Sequence, residues 1–174
     1  MQNKKWLIGC GAALAVLAVI AVIIVMWYVG IHNNLVALDT QVTQSWSQVE
    51  NQYQRRMDLI PNLVSTVKGV ANFEKETFTA VTEARAKAGS IQLTPEMLND
   101  PAAFQKFQSA QDQLGSALSR LLVTVEKYPE LKANENFLQL QSQLEGTENR
   151  ISVERKRFNE SVGEYNKTIK TIPN

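Results

Sequence analysis

Cysteine, histidine, proline and glycine are all scarce in this chain, and each scarcity removes a class of protein. Among 174 residues there is one cysteine, Cys10, and one histidine, His32. A single cysteine excludes structural disulfides within the chain and any cysteine-built zinc site. A single histidine excludes the Glu-x-x-His pairs from which helical bundles build di-iron centres. Five prolines and eight glycines are too few for a turn-rich β protein or a flexible linker. Charge of one sign is lacking as well. With Lys4 and Lys5 set aside, the 18 basic residues fall to 16, against 17 acidic ones. A near-neutral chain with its charges interspersed offers no basic face, so no nucleic-acid partner is expected.

Catalytic signatures are missing too. The sequence has no P-loop, no dinucleotide-binding glycine fingerprint and no GxSxG elbow. His32 lies at the edge of an apolar stretch, where a polar interfacial role suits it better than general-base work. Glu145 and Glu148 stand three apart and read as solvated carboxylates on a helix face. The chain is therefore expected not to be an enzyme and to need neither metal nor cofactor.

What is present begins with a run from Trp6 to Ile31 that contains no charged residue. Leu7 to Met26 alone is 20 residues, about 30 Å of helix, which matches the hydrocarbon thickness of a bilayer. Trp6 at one end and Trp27 with Tyr28 at the other are placed as interfacial anchors. A cleaved signal peptide would have a shorter apolar region, closed by a small-residue site. The Leu7-Ile8-Gly9-Cys10 box resembles a lipoprotein signal, but its long apolar run follows the cysteine instead of preceding it. Lys4 and Lys5 before the run, with no Lys or Arg after it until Arg55, place the N-terminus in the cytoplasm and the rest outside. Residues 1–31 are thus a stub and transmembrane helix, and 32–174 form the second domain. Gly11 and Ala15 fit the spacing at which two spanning helices pack closely.

The second domain reads as helix throughout. Leu35, Leu38, Val42, Trp46, Val49, Tyr53, Met57 and Ile60 recur at steps of three or four and form one stripe. Beyond Pro61 the stripe resumes at Leu63, Val64, Val67, Val70 and Ala71, which predicts a kink there and not a break. It then fades through Phe73, Phe78, Val81 and Ala84 towards Gly89. Residues 89–101 interrupt the pattern, with Thr94-Pro95-Glu96 and Asp100-Pro101 as helix starts. The next helix carries Phe104, Phe107, Ala110, Leu114, Ala117, Leu121 and Val125, and stops before Pro129. A last helix opens near Asn134, with a seam of Phe137, Leu140, Leu144, Thr147, Ile151, Phe158, Val162, Tyr165, Ile169 and Ile172. Glu154 or Arg155 occupies that seam between Ile151 and Phe158. The expected fold is all-α: a transmembrane helix continuing into an elongated antiparallel bundle of three long segments, the middle one dividing in two.

A polar constellation stands out against these stripes. Arg55, Arg56 and Asp58 lie near the middle of the first long helix, and Glu148, Asn149, Arg150, Glu154 and Arg155 near the middle of the last. In an antiparallel pair the two groups could meet in charge-assisted hydrogen bonds, setting register between helices or forming a patch for a partner.

Several blocks also resemble the bacterial LemA family. They are Trp46, Arg55-Arg56-Met57-Asp58-Leu59-Ile60-Pro61-Asn62-Leu63-Val64, and Val67-Lys68-Gly69. Further on come Tyr128 to Phe137, Gly146 to Ile151, Arg155, Arg157, Phe158, Asn159, Tyr165 and Asn166. The resemblance runs from about residue 30 to the C-terminus. It implies a bacterial membrane-anchored helical bundle and supplies no catalytic mechanism. Members are often encoded beside membrane proteins with TPM-type domains or membrane metalloproteases, which makes those expected partners beside the lipid bilayer and a second copy of the chain. The family has been predicted with its bundle inside the cell; the flanking lysines here favour the extracytoplasmic side of the inner membrane. The function expected is a scaffold or adaptor that self-assembles or binds neighbouring membrane proteins; the alternative is a membrane-shaping, envelope-structural protein that polymerises on the bilayer.

Overall fold

The computed structural model describes residues 2–70, 73–91, 94, 97–98 and 100–171, with side chains from residue 14 onward. Every regular element among them is helical: α1 (Gln2–Lys68), α2 (Lys75–Gly89), α3 (Pro101–Val125), the single turn α4 (Pro129–Lys132) and α5 (Glu135–Lys170). The chain falls into two units, residues 43–159 and residues 1–42 with 160–174.

Residues 43–159 form the bundle, and its cross-contacts fix the direction of each helix. Trp46 packs on Phe158 and Arg56 reaches Glu148, so α1 and α5 are antiparallel. Trp46 and Tyr53 both pack on Phe107 while Arg56 reaches Gln111, so α1 and α3 run the same way. Lys127 binds Glu74 and Lys87 binds Gln113, so α2 opposes α3. The result is an up-down-up-down arrangement of α1, α2, α3 and α5. Its core takes Ile60, Leu63 and Val67 from α1, Val81 from α2, Leu114 and Leu121 from α3, Leu131 from α4 and Phe137 from α5, each at most 1% exposed. The stripe spacing of three and four delivers these residues to one face of each helix.

Helix ends follow local chemistry. Asp100 caps α3 through Oδ1, which accepts from the N–H groups of Ala102 and Ala103 at 2.9 and 3.2 Å, with Pro101 at the first helical position. Asn134 Oδ1 accepts from Phe137 N–H at 3.0 Å and opens α5. The Thr94 start is one short turn at Met97–Leu98, with Met97 N–H on the Thr94 carbonyl at 3.0 Å; Pro95 and Glu96 lie outside the described residues.

Two expectations need adjusting. The first segment does not run on to Gly89: α1 stops at Lys68, where Gly69 and Val70 close tight turns onto the Thr66 and Val67 carbonyls. Apolar spacing carried across this reversal because Phe73, just before α2, and Val81, within it, re-enter the same core. It is the first segment that divides into two long helices, while the part split from the middle one is only the turn α4.

At Pro61, by contrast, α1 is unbroken. Proline lacks the N–H that would bind the Met57 carbonyl one turn earlier. Arg85 Nε, from α2, donates to that carbonyl at 2.9 Å instead. The helix therefore passes through its proline with the freed acceptor satisfied by a neighbour.

In the other unit, the apolar run of α1 is long enough to cross a membrane by length and composition, and none of its described side chains from Leu14 on is buried. Trp27 and Tyr28 are 54% and 66% exposed, and Tyr28 stacks on His32 with ring centroids 6.4 Å apart. Trp6, Cys10 and Gly11 are helical, with side chains outside the described residues. Leu35, Leu38 and Val42 on α1, and Val162 and Tyr165 on α5, are half-buried.

Candidate functional site

The most distinctive polar feature of the bundle is Arg56, a charged side chain only 3% exposed. It sits on the apolar stripe of α1 between Tyr53 and Ile60, so the helix that delivers the core also delivers the charge into it. Nη1 donates to Glu148 Oε2 on α5 at 2.8 Å. Nη2 donates to both the backbone carbonyl and the side-chain Oε1 of Gln111 on α3. The guanidinium carbon also lies 5.2 Å from the Tyr53 ring centroid, a cation–π contact with the preceding turn. One side chain thereby ties three helices together.

The accounting is incomplete in one respect. Arg56 Nε and Gln111 Nε2 are buried donors without a partner among the described residues. Arg56 Nη1 lies beneath Gly115, whose hypothetical Cβ would be 3.9 Å away, an ordinary contact. Above it runs a groove of about 760 Å³ between α3 and α5, with Arg56 in its floor and Ser116, Arg120, Leu144, Glu145 and Glu148 around it. Glu148 is more than half exposed and closes the pair from the solvent side.

Tyr53 is the group whose acidity is moved here. Burial pushes its phenol above the ordinary value of 10.0, because the charged phenolate loses hydration. Arg155 and Arg56 oppose that rise, and Glu148 and Asp112 add to it.

Of the eight polar residues singled out from the sequence, Arg56 and Glu148 meet across the helices. Arg55 is exposed, and Asp58 accepts from Gln54 Nε2 at 2.8 Å on its own helix. Asn149 and Arg150 face solvent. Glu154 pairs with Arg157 along α5 at 2.9 Å, so the half-buried seam position is taken by Glu154 and Arg155 flanks it. Arg155 lines a small cavity with Trp46, Tyr53 and Phe158. Gln111 and Arg85 escaped sequence reasoning. Gln111 could have been found as the polar residue on the α3 stripe between Phe107 and Leu114, and Arg85 only by asking what satisfies the carbonyl four residues before Pro61. No cluster of three or more metal-ligating side chains occurs among the described residues. What the arrangement does chemically is hold the Arg56 guanidinium in place.

The profile of the LemA family matches residues 45–174, which takes in Arg56, Gln111 and Glu148. The chain belongs to the LemA family. It is 26% identical over 145 residues to Protein LemA of Metamycoplasma hominis, covering 83% of this chain and 62% of that protein. It is 28% identical over 158 residues to magnetosome protein MamQ of Magnetospirillum gryphiswaldense, covering 82% and 58%. It is 26% identical over 178 residues to MamQ 1 of Paramagnetospirillum magneticum, covering 93% and 64%. The chain thus spans about three-fifths of the length of these relatives. None of these names denotes an enzyme.

Proposed function

We propose that this LemA family member is a membrane-anchored scaffold or adaptor, which assembles with itself or with neighbouring membrane proteins and presents its bundle on the extracytoplasmic side. The observation that carries the reading is α1 itself. One unbroken helix holds an apolar run that nothing among the described residues buries and, further on, the stripe that packs into the bundle. A helix apolar all round belongs in lipid or in a protein core, and the fold provides no core for this one. The polar centre adds support, since a guanidinium tied to two helices stiffens the bundle without offering a reactive group. Lys4 and Lys5 support the orientation.

The test is purification of the full chain in mild detergent, with sizing and mass spectrometry of what accompanies it. Oligomers or defined membrane-protein partners are expected, and a strictly monomeric chain with no companion would sink the proposal. Orientation is checked separately, by labelling a cysteine placed at exposed Val153 with a membrane-impermeant reagent in intact cells.

A further inference from the structure

The outward face of α3 carries two opposite charges that the fold leaves unused. Asp112 and Arg120 are both exposed, and among the described residues neither makes a hydrogen bond or ion pair. They stand eight residues apart, about 12 Å along the helix, too far to pair with each other. Each lies four residues from Ser116, so the pair is symmetric about it. Between them three positions are exposed: Ser116 and Ser119, which are small, and Gln113, which is held to the α2 side by Lys87, with half-buried Gly115 alongside. This ridge is flanked by a groove on each side, one towards α2 and one towards α5.

We infer that this ridge is a self-docking surface, which pairs with α3 of a second copy about a two-fold axis at Ser116. The argument is charge complementarity. A two-fold axis perpendicular to the helix reverses its direction, bringing Asp112 of each copy level with Arg120 of the other and forming the same ion pair twice. A parallel pairing would instead set Asp112 against Asp112 and Arg120 against Arg120. The small side chains at the centre let the helix axes approach closely, and the grooves receive the flanking side chains of the partner. Exposed ion pairs contribute little affinity and mainly set register and exclude wrong partners, so covering the apolar wall of the groove towards α5, where Leu122 and Leu144 lie, supplies the association and the charges choose its direction. The inference deepens the scaffold reading and rests on it, naming a second copy as partner and α3 as the contact.

The test uses the full chain in detergent, with sedimentation as the readout and circular dichroism to verify folding. Asp112→Arg and Arg120→Asp should each weaken the homodimer by about tenfold or more, because like charges then face each other. The double variant Asp112→Arg/Arg120→Asp should recover it, and a mixture of the two single variants should form heterodimers. In a Cys10→Ser background, Ser116→Cys should form an intermolecular disulfide under mild oxidation. Val123→Cys, about 21 Å from its own copy in the pair, should not. If the wild-type chain is monomeric, the self-assembly reading fails and takes this inference with it. If the wild-type chain associates and the single charge reversals leave it unchanged, or the double variant fails to recover, this inference alone is overturned.

Discussion

Two stretches of α1 differ in a way that explains most of the molecule. From Leu14 to Val29 almost every side chain is apolar, and none is buried. From Trp46 to Val67 only about one position in three is apolar on the inward side, yet Trp46, Val49, Ile60, Leu63 and Val67 are 2% exposed or less. Apolar content alone therefore does not make a protein core. A stripe can be hidden by neighbouring helices while its polar flanks stay wet; a helix apolar all round has no such face and needs a different solvent. The contrast breaks most visibly under truncation. Leu63→Ala should cost about 2–5 kcal/mol of bundle stability, since it deletes methyl groups from a fully packed site. Leu17→Ala, in the uncovered stretch, should leave denaturation of the bundle in detergent unchanged. Equal effects from the two would show that the apolar run belongs to the bundle core.

A second contrast lies within the bundle, between the buried charge and its exposed partner. Arg56 is out of water and Glu148 is not. Arg56→Ala should cost roughly 2–3 kcal/mol, through lost charged hydrogen bonds and lost packing. Glu148→Gln should cost about 1 kcal/mol or less, since water can reach the position. Arg56→Met, which keeps the volume, should fall closer to wild type than Arg56→Ala. Urea titration of the three variants separates the outcomes, and an Arg56→Met chain as unstable as Arg56→Ala would mean that hydrogen bonding outweighs packing.

These same residues show what sequence could and could not reveal. Stripes and caps were legible because each depends on neighbours in the chain: Asp100 and Asn134 cap the helices that follow them, and the steps of three and four found the core. The turn at Gly69 was missed because the apolar spacing carries on across the reversal into α2. In the polar centre, proximity along the helix suggested eight residues. Helix rotation decides which of them points inward, and the stripe spacing carries that signal for Arg56, three residues after Tyr53 and four before Ile60, but not for Arg55. Partners from a third helix, such as Gln111, are invisible to any pairwise reading of α1 and α5.

Pro61 offers a contrast of a smaller size, between a hydrogen bond made within a helix and one made from outside it. Arg85→Ala should leave the Met57 carbonyl without a donor and cost about 1–3 kcal/mol. In a Pro61→Ala background the helix recovers its own N–H, and the same substitution should cost much less. The double-mutant cycle reads this coupling directly. Additive losses would show that Arg85 contributes through its packing and not through that carbonyl.

The smallest expected effect separates Tyr53 from the charges around it. A phenol is charged only when it loses its proton, and burial raises its pKa in the folded state. Below the ordinary value of 10.0 both folded and unfolded chains keep the proton, so Tyr53 makes stability no steeper with pH there. As pH rises past that value the unfolded chain ionises first, and stability is lost through the folded pKa. Tyr53→Phe keeps the ring against Phe107, 5.1 Å between centroids, and removes the ionising group. Its stability should fall less steeply than that of wild type above about pH 10. Because lysines and other tyrosines also titrate in that range, the quantity to measure is the difference between the two chains across the alkaline limb. A constant difference would mean that water already reaches the phenol, and that the two nearby arginines have offset its burial.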